Sequence, residues 1–183
     1  MIQFRWMYTI EQIDELRHEW PRLLSHSPTR TVFQSIEWHL AWLQSFKHEY
    51  SPAFLTAWNG DSLVALAPLV SSTSKILRIP ITTYSFAGSA NYASDYADFL
   101  YHDLSSLSSL LSFLMSAPPW QNLLLRNLPS SSPTKQVLLN HFTPWNHQWW
   151  DASRAIDTPT RIMHNDRQDQ DILAKTLFKR KRK

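Results

Sequence analysis

"PAFLTAWNGDSLVALAPLV", residues 52–70, decides the fold class. Two apolar, β-prone runs flank Asn59-Gly60, a pair suited to the positive φ angles of a tight hairpin turn. An antiparallel hairpin in mid-chain makes the neighbouring segments its packing partners. Upstream, "QFRWM" (3–7) reads as a strand, and Thr9 reads as an N-cap with Gln12 completing a capping box. Ile10, Ile13, Leu16, Trp20 and Leu23/Leu24 recur at helical spacing and predict an amphipathic helix over about 10–25, which Pro21 should kink or end early. Ser35 caps a second helix whose inward candidates are Ile36, Leu40 and Leu43, then Trp42 and Phe46. Downstream, "KILRIP" (75–80), "TTYSFAG" (82–88) and "DYADFLY" (95–101) read as strands. Asp103 caps a helix over about 104–116. "QNLLLRNL" (121–128) reads as a buried strand, and Ser132-Pro133 opens a helix to about Phe142. "NHQWWDAS" (146–153) reads as a strand, and a polar connection from Pro159 leads to a helix over about 169–181. Hairpins mixed with helices that return to a strand indicate an α+β (mixed α/β) domain. A doubly wound dinucleotide fold ranks lower, because it needs regular alternation and glycine turns.

Composition narrows the function. The chain has 183 residues, 43% of them hydrophobic, and nine Trp, enough for one domain with a sizeable core. It has no apolar run near membrane-spanning length and no secretory leader pattern. With no Cys, disulfides and thiolate ligands are excluded, which suits a cytoplasmic location. Residues 175–183 hold six of the 18 Lys and Arg and no acid, leaving 12 basic against 15 acidic residues in the body. The positive charge is therefore a terminal cluster ending in Lys179, Arg180, Lys181, Arg182 and Lys183. A nucleic-acid-binding fold spreads its charge over a face, so nucleic acid is disfavoured as a partner.

Site chemistry is sparse. Gly60 and Gly88 are the only glycines, and a loop that wraps phosphates through its N–H groups needs several. No HExxH or other zinc spacing occurs among the eight His, so no metal is expected. No GxSxG elbow anchors a hydrolase triad. "ASDYADFLYHD" gathers Asp95, Asp98, His102 and Asp103. These are either a turn aspartate and an edge-strand acid or a substrate-binding edge carried by Asp95, Tyr96 and Asp98. Trp38 and Trp42, four apart on one helix face, are either core or a stacking platform.

Three stretches together carry a resemblance: "VFQSIEWHLAWLQSF" (32–46), "FAG" with "SDYADFL" (86–100), and "WQNLLLRNLPSSS" (120–132). They resemble the N-terminal half of the CelD-type cellulose-biosynthesis acyltransferases, GNAT-superfamily proteins related to FemAB-like enzymes with two tandem GNAT-like halves. The matched residues are Phe33-Gln34-Ser35 before Trp38 and Trp42, then Gly88 before Asp95-Tyr96 and Asp98-Phe99-Leu100. The resemblance implies a GNAT-like domain over 1–168, with a central, mostly antiparallel sheet flanked by helices. It also implies that 169–183 is a basic helix leading into a second GNAT half. The implied chemistry is transfer of an acyl group from acetyl-CoA or another acyl-CoA to an amine or hydroxyl, linked to polysaccharide or cell-envelope biosynthesis. A backbone N–H from a splayed strand would stabilise the oxyanion; no residue is assignable as catalytic base. The expectation is a truncated or split protein, inactive alone, that does not bind acyl-CoA by itself and whose partner is a second half. The alternative is a non-catalytic module whose basic tail contacts nucleic acid or an anionic membrane.

Overall fold

In the computed structural model the hairpin forms from strands β3 (Phe54–Asn59) and β4 (Ser62–Ala67), which pair antiparallel. Asn59 faces Ser62, so the turn residues are Gly60 and Asp61, one position later than the sequence suggests. Only Gly60 of the two has positive φ, at 60°, the type II′ pattern that favours glycine first. The structure describes residues 1–89, 96–116, 119–129 and 131–141, all within the compact unit Met1–His147. The expected strand at 146–153, the helix at 169–181 and the basic tail lie outside the described residues.

The other elements are β1 (Ile2–Met7), α1 (Ile10–Asp14), α2 (Glu19–His26), α3 (Ile36–Ser45), β2 (Ser51–Pro52), β5 (Leu69–Ile76), β6 (Ile79–Phe86), β7 (Leu100–Tyr101), α4 (Leu104–Ser116), β8 (Asn122–Leu124) and α5 (Pro133–His141). Among the described residues these form two four-stranded sheets, β1-β3-β4-β7 and β2-β5-β6-β8. They share one ribbon, because Pro52 pairs with Val70 and Leu55 with Ala67 in the same register. The Ala53 N–H donates to Leu69 O at 2.9 Å between those pairs. The break between sheets falls at Pro68, which has no N–H to give the ladder. Along the ribbon's far edge, β6 ends with the Ala87 N–H donating to Pro68 O at 2.9 Å, while β7 resumes with Leu100 opposite Leu66. The chain therefore leaves that edge after Ala87 and rejoins it almost in line.

Helices cover both faces. Leu55, Ala65, Leu69, Tyr84, Phe86 and Phe99 share a core with Leu107, Leu110, Leu111 and Leu114 of α4 and Leu138 of α5. The opposite core joins Phe54, Leu66, Val70 and Leu100 to Ile13, Leu16, Trp20, Ile36 and Leu43 from α1–α3 and the turn between α1 and α2. The α4 leucines recur at the spacing of one helix face, and burying each contributes about 1.5–3 kcal/mol. Val64 has no partner in the β3 ladder. This extra residue flips the alternation, so Leu63 and Leu66 both face α1–α3.

The first expected helix is interrupted rather than continuous. Thr9 and Gln12 form the capping box, but Glu15–Arg17 is a 3₁₀ turn between α1 and α2. Pro21 sits in the first turn of α2, where its missing N–H costs nothing; the bond it denies, to Arg17 O, is where the helix breaks. Three strand expectations also change. "KILRIP" contains the β5–β6 turn at Leu77–Arg78, because Ile76 pairs with Ile79. Of the described residues of "DYADFLY", only Leu100–Tyr101 joins a ladder. "QNLLLRNL" supplies the three-residue, partly exposed β8, not a buried strand. The order and layering are those of a mixed α+β domain with antiparallel sheets flanked by helices.

Candidate functional site

Among the described residues one strand pair is parallel. β6 runs beside β8 with Thr83, Tyr84 and Ser85 opposite Asn122, Leu123 and Leu124, and α4 lies in the connection between them. In such a unit the ligand crevice lies beyond the carboxyl ends of the strands. There the paired register stops: β6 continues to Phe86, Ala87 and Gly88 (φ 84°), and β8 to Leu125, Arg126 and Asn127 (φ 61°). Arg126 is exposed and has no ion pair among the described residues.

The strap returning to β7 brings Asp98 inward against the N-terminus of α5. Its carboxylate accepts from Ser132 Oγ at 2.5 Å, Thr134 Oγ1 at 2.7 Å and the Phe99 N–H at 2.8 Å. Asp98 O accepts from Gln34 Nε2 at 3.1 Å, and Phe99 O accepts from Thr29 Oγ1 at 2.8 Å. The Tyr101 N–H donates to Ser27 Oγ at 3.3 Å. The strap is thus pinned by the α2–α3 connection and by α5. Asp98 is 1% exposed, and burial pushes its carboxyl up to about 6 despite the three donors that favour its ionised form.

His39 is the second buried titratable group here. Its Nδ1 lies 2.9 Å from Ser35 O; a carbonyl only accepts, so Nδ1 carries the proton and Nε2 is the acceptor nitrogen of the neutral ring. Burial pushes its pKa down to about 4, keeping it neutral at pH 7. His39, Asp98 and Gln34 line one small recess with Phe33, Pro68, Phe86, Ala87 and Ala97. It holds about 10 Å³, room for about one water. The recess sets two buried titratable groups side by side but has no space for an acyl chain.

The N-terminus of α4 favours an anion electrostatically, and the chain fills it with its own. Asp103 Oδ1 accepts the Ser106 N–H at 2.7 Å, and that bond holds its pKa below the usual carboxylate range. His26 and His102 approach with ring centroids 5.7 Å apart, yet among the described residues no three His, Cys, Asp or Glu are placed to hold a metal ion. No helix among those residues is long and apolar enough to cross a membrane.

The residues expected to form a substrate-facing edge differ in burial where the structure describes them. Asp95 lies outside the described residues. Tyr96 is 40% exposed with φ 58°, whereas Asp98 faces inward with its oxygens engaged. Trp38 is half-buried, its ring edge-on to Phe33 and His39. Trp42 is buried and stacked on Phe46 at 5.0 Å. Asp98 and Trp42 are thus both buried in the fold. Sequence reasoning missed Gln34, His39, Ser132 and Thr134 as the company of Asp98. The available signal was Ser132-Pro133-Thr134, hydroxyls on either side of a helix-starting proline.

Among solved structures, the chain is similar to the ribosomal-protein-alanine N-acetyltransferase of Brucella melitensis biovar Abortus 2308, at 10% identity and a TM-score of 0.43. The likeness covers 82% of this chain and 98% of that one. No protein-family model matches the chain, and no curated protein does.

Proposed function

We propose that this chain is a GNAT-type domain of an acyl-CoA-dependent N- or O-acyltransferase, and that a second domain or chain holds the CoA pyrophosphate. The observation that carries the reading is the parallel β6–α4–β8 unit, inside a mostly antiparallel sheet, whose strands stop pairing at their carboxyl ends. Strands that stop pairing there support entry of an acyl thioester between strand backbones, as the sequence resemblance implies. The acceptor is an amine or hydroxyl of a small molecule or of a polysaccharide or cell-envelope precursor. The need for a second half is supported by the scarcity of glycine and by Asp103, which already occupies the N-terminus of α4.

Acetyl-CoA and S-acetylpantetheine, which lacks the pyrophosphate, should perturb the same amides, those of residues 85–88 and 124–127, in heteronuclear NMR. Their affinities should be similar. A clear preference for acetyl-CoA, tenfold or more (about 1.4 kcal/mol), would place pyrophosphate binding in this chain and remove the need for a second half. If neither thioester perturbs those amides, the acyltransferase reading fails.

A further inference from the structure

The ribbon of β5 and β6 outruns the rest of its sheet. β2 reaches β5 only at Val70 and Ser71, and β8 reaches β6 only at residues 83–85. Gln121 still touches Thr82. Beyond it, Ser74–Ile76 and Ile79–Ile81 pair with each other alone among the described residues. A two-stranded ribbon standing free in water is marginal. This one also closes through Leu77 (φ 50°) and Arg78 (φ 70°), both left-handed without a glycine, asparagine or aspartate. Leu77 is 91% exposed and Ile79 62% exposed. Between Asp61 and Asp95 the chain carries no acidic residue, while Lys75 and Arg78 put two cations at the tip.

We propose that this tip docks on an anionic lipid surface, Leu77 and Ile79 entering the headgroup region while Lys75 and Arg78 pair with lipid phosphates. The composition fits that medium: apolar side chains at the apex, cations on flexible stems beside them, and no acid to be repelled. A polyanion such as nucleic acid would engage the cations and leave the apex apolar groups in water. Burying those groups in the interface offsets the strain of the turn. The inference is independent of the acyltransferase reading.

The absence of cysteine allows a clean test on the full chain. An environment-sensitive dye is attached to Leu77→Cys or, as a control, to the exposed position in Gln44→Cys. Each protein is mixed with phosphatidylcholine vesicles with or without phosphatidylglycerol. The dye at 77 should shift to the blue with anionic vesicles only, and the dye at 44 should not. In sedimentation with the same vesicles, Lys75→Ala/Arg78→Ala should weaken binding about fivefold per cation at low salt, and Leu77→Ser/Ile79→Ser should weaken it too. Vesicle binding that both double variants leave intact would assign it to the terminal basic run and overturn the proposal. So would a dye at 77 indifferent to anionic lipid, or one that shifts with protein concentration alone, which would mark a second copy as occupant.

Discussion

Asp98 and His39 line the same small recess and are displaced in opposite senses, which makes the pH dependence of stability a sharp test of the buried cluster. Asp98 moves from 3.8 to about 6, so its proton is held more tightly in the folded chain. Its contribution to stability is full below pH 3.8 and is lost as pH rises through about 6. His39 moves from 6.5 to about 4, so it resists protonation when folded. Its contribution is present above pH 6.5 and is lost as pH falls toward 4. At about 1.4 kcal/mol per pH unit of displacement, each is worth on the order of 3 kcal/mol. Between pH 6.5 and 4 the two slopes oppose and nearly cancel in the native protein. Asp98→Asn should expose the histidine term: relative to the native protein, urea-unfolding stability should drop by roughly 3 kcal/mol on acidification from pH 6.5 to 4. His39→Gln should do the reverse, gaining a similar amount, and the double variant should return toward the native profile. Comparing each variant with the native protein cancels the other titrating groups. Profiles for both single variants that run parallel to the native one would refute the burial argument for this cluster.

Two further outcomes follow from packing and backbone geometry. Leu77→Asn/Arg78→Gly supplies the residues that a turn with two positive φ angles favours, and should raise stability in urea by about 1–2 kcal/mol; no gain would mean that the turn is not strained. Leu110→Ala opens a cavity where α4 meets the sheet and should cost about 2–5 kcal/mol, read as a lower urea midpoint with an unchanged slope. A cost near zero would show that α4 does not pack as described.

Local signals carried much of this fold. Thr9 with Gln12, Ser35 and Asp103 marked helix starts through side chains that bond backbone N–H groups within the same turn. The α4 leucines marked a buried face by spacing alone. The strand readings fared worse, because a strand is defined by its partner. Nothing in "KILRIP" announces a turn, since no glycine or asparagine is there; the antiparallel pairing of β5 with β6 imposes it. The Asp95–Asp98 segment shows the same limit for the site. Its carboxylates could face solvent or core, and only the approach of Ser132 and Thr134, 34 and 36 residues on, turns Asp98 inward.

By itself, then, the sequence determined the mixed α+β class, the mid-chain hairpin, the helix starts and the lack of a glycine-rich phosphate loop, because these depend on interactions within a few residues. Tertiary structure alone decided the parallel β6–β8 pair, the burial of Asp98 and His39 beside one recess, and the projecting tip at Leu77. Each depends on strands and helices distant in the chain meeting at set register, and burial, which moves both pKa values, exists only once they have met.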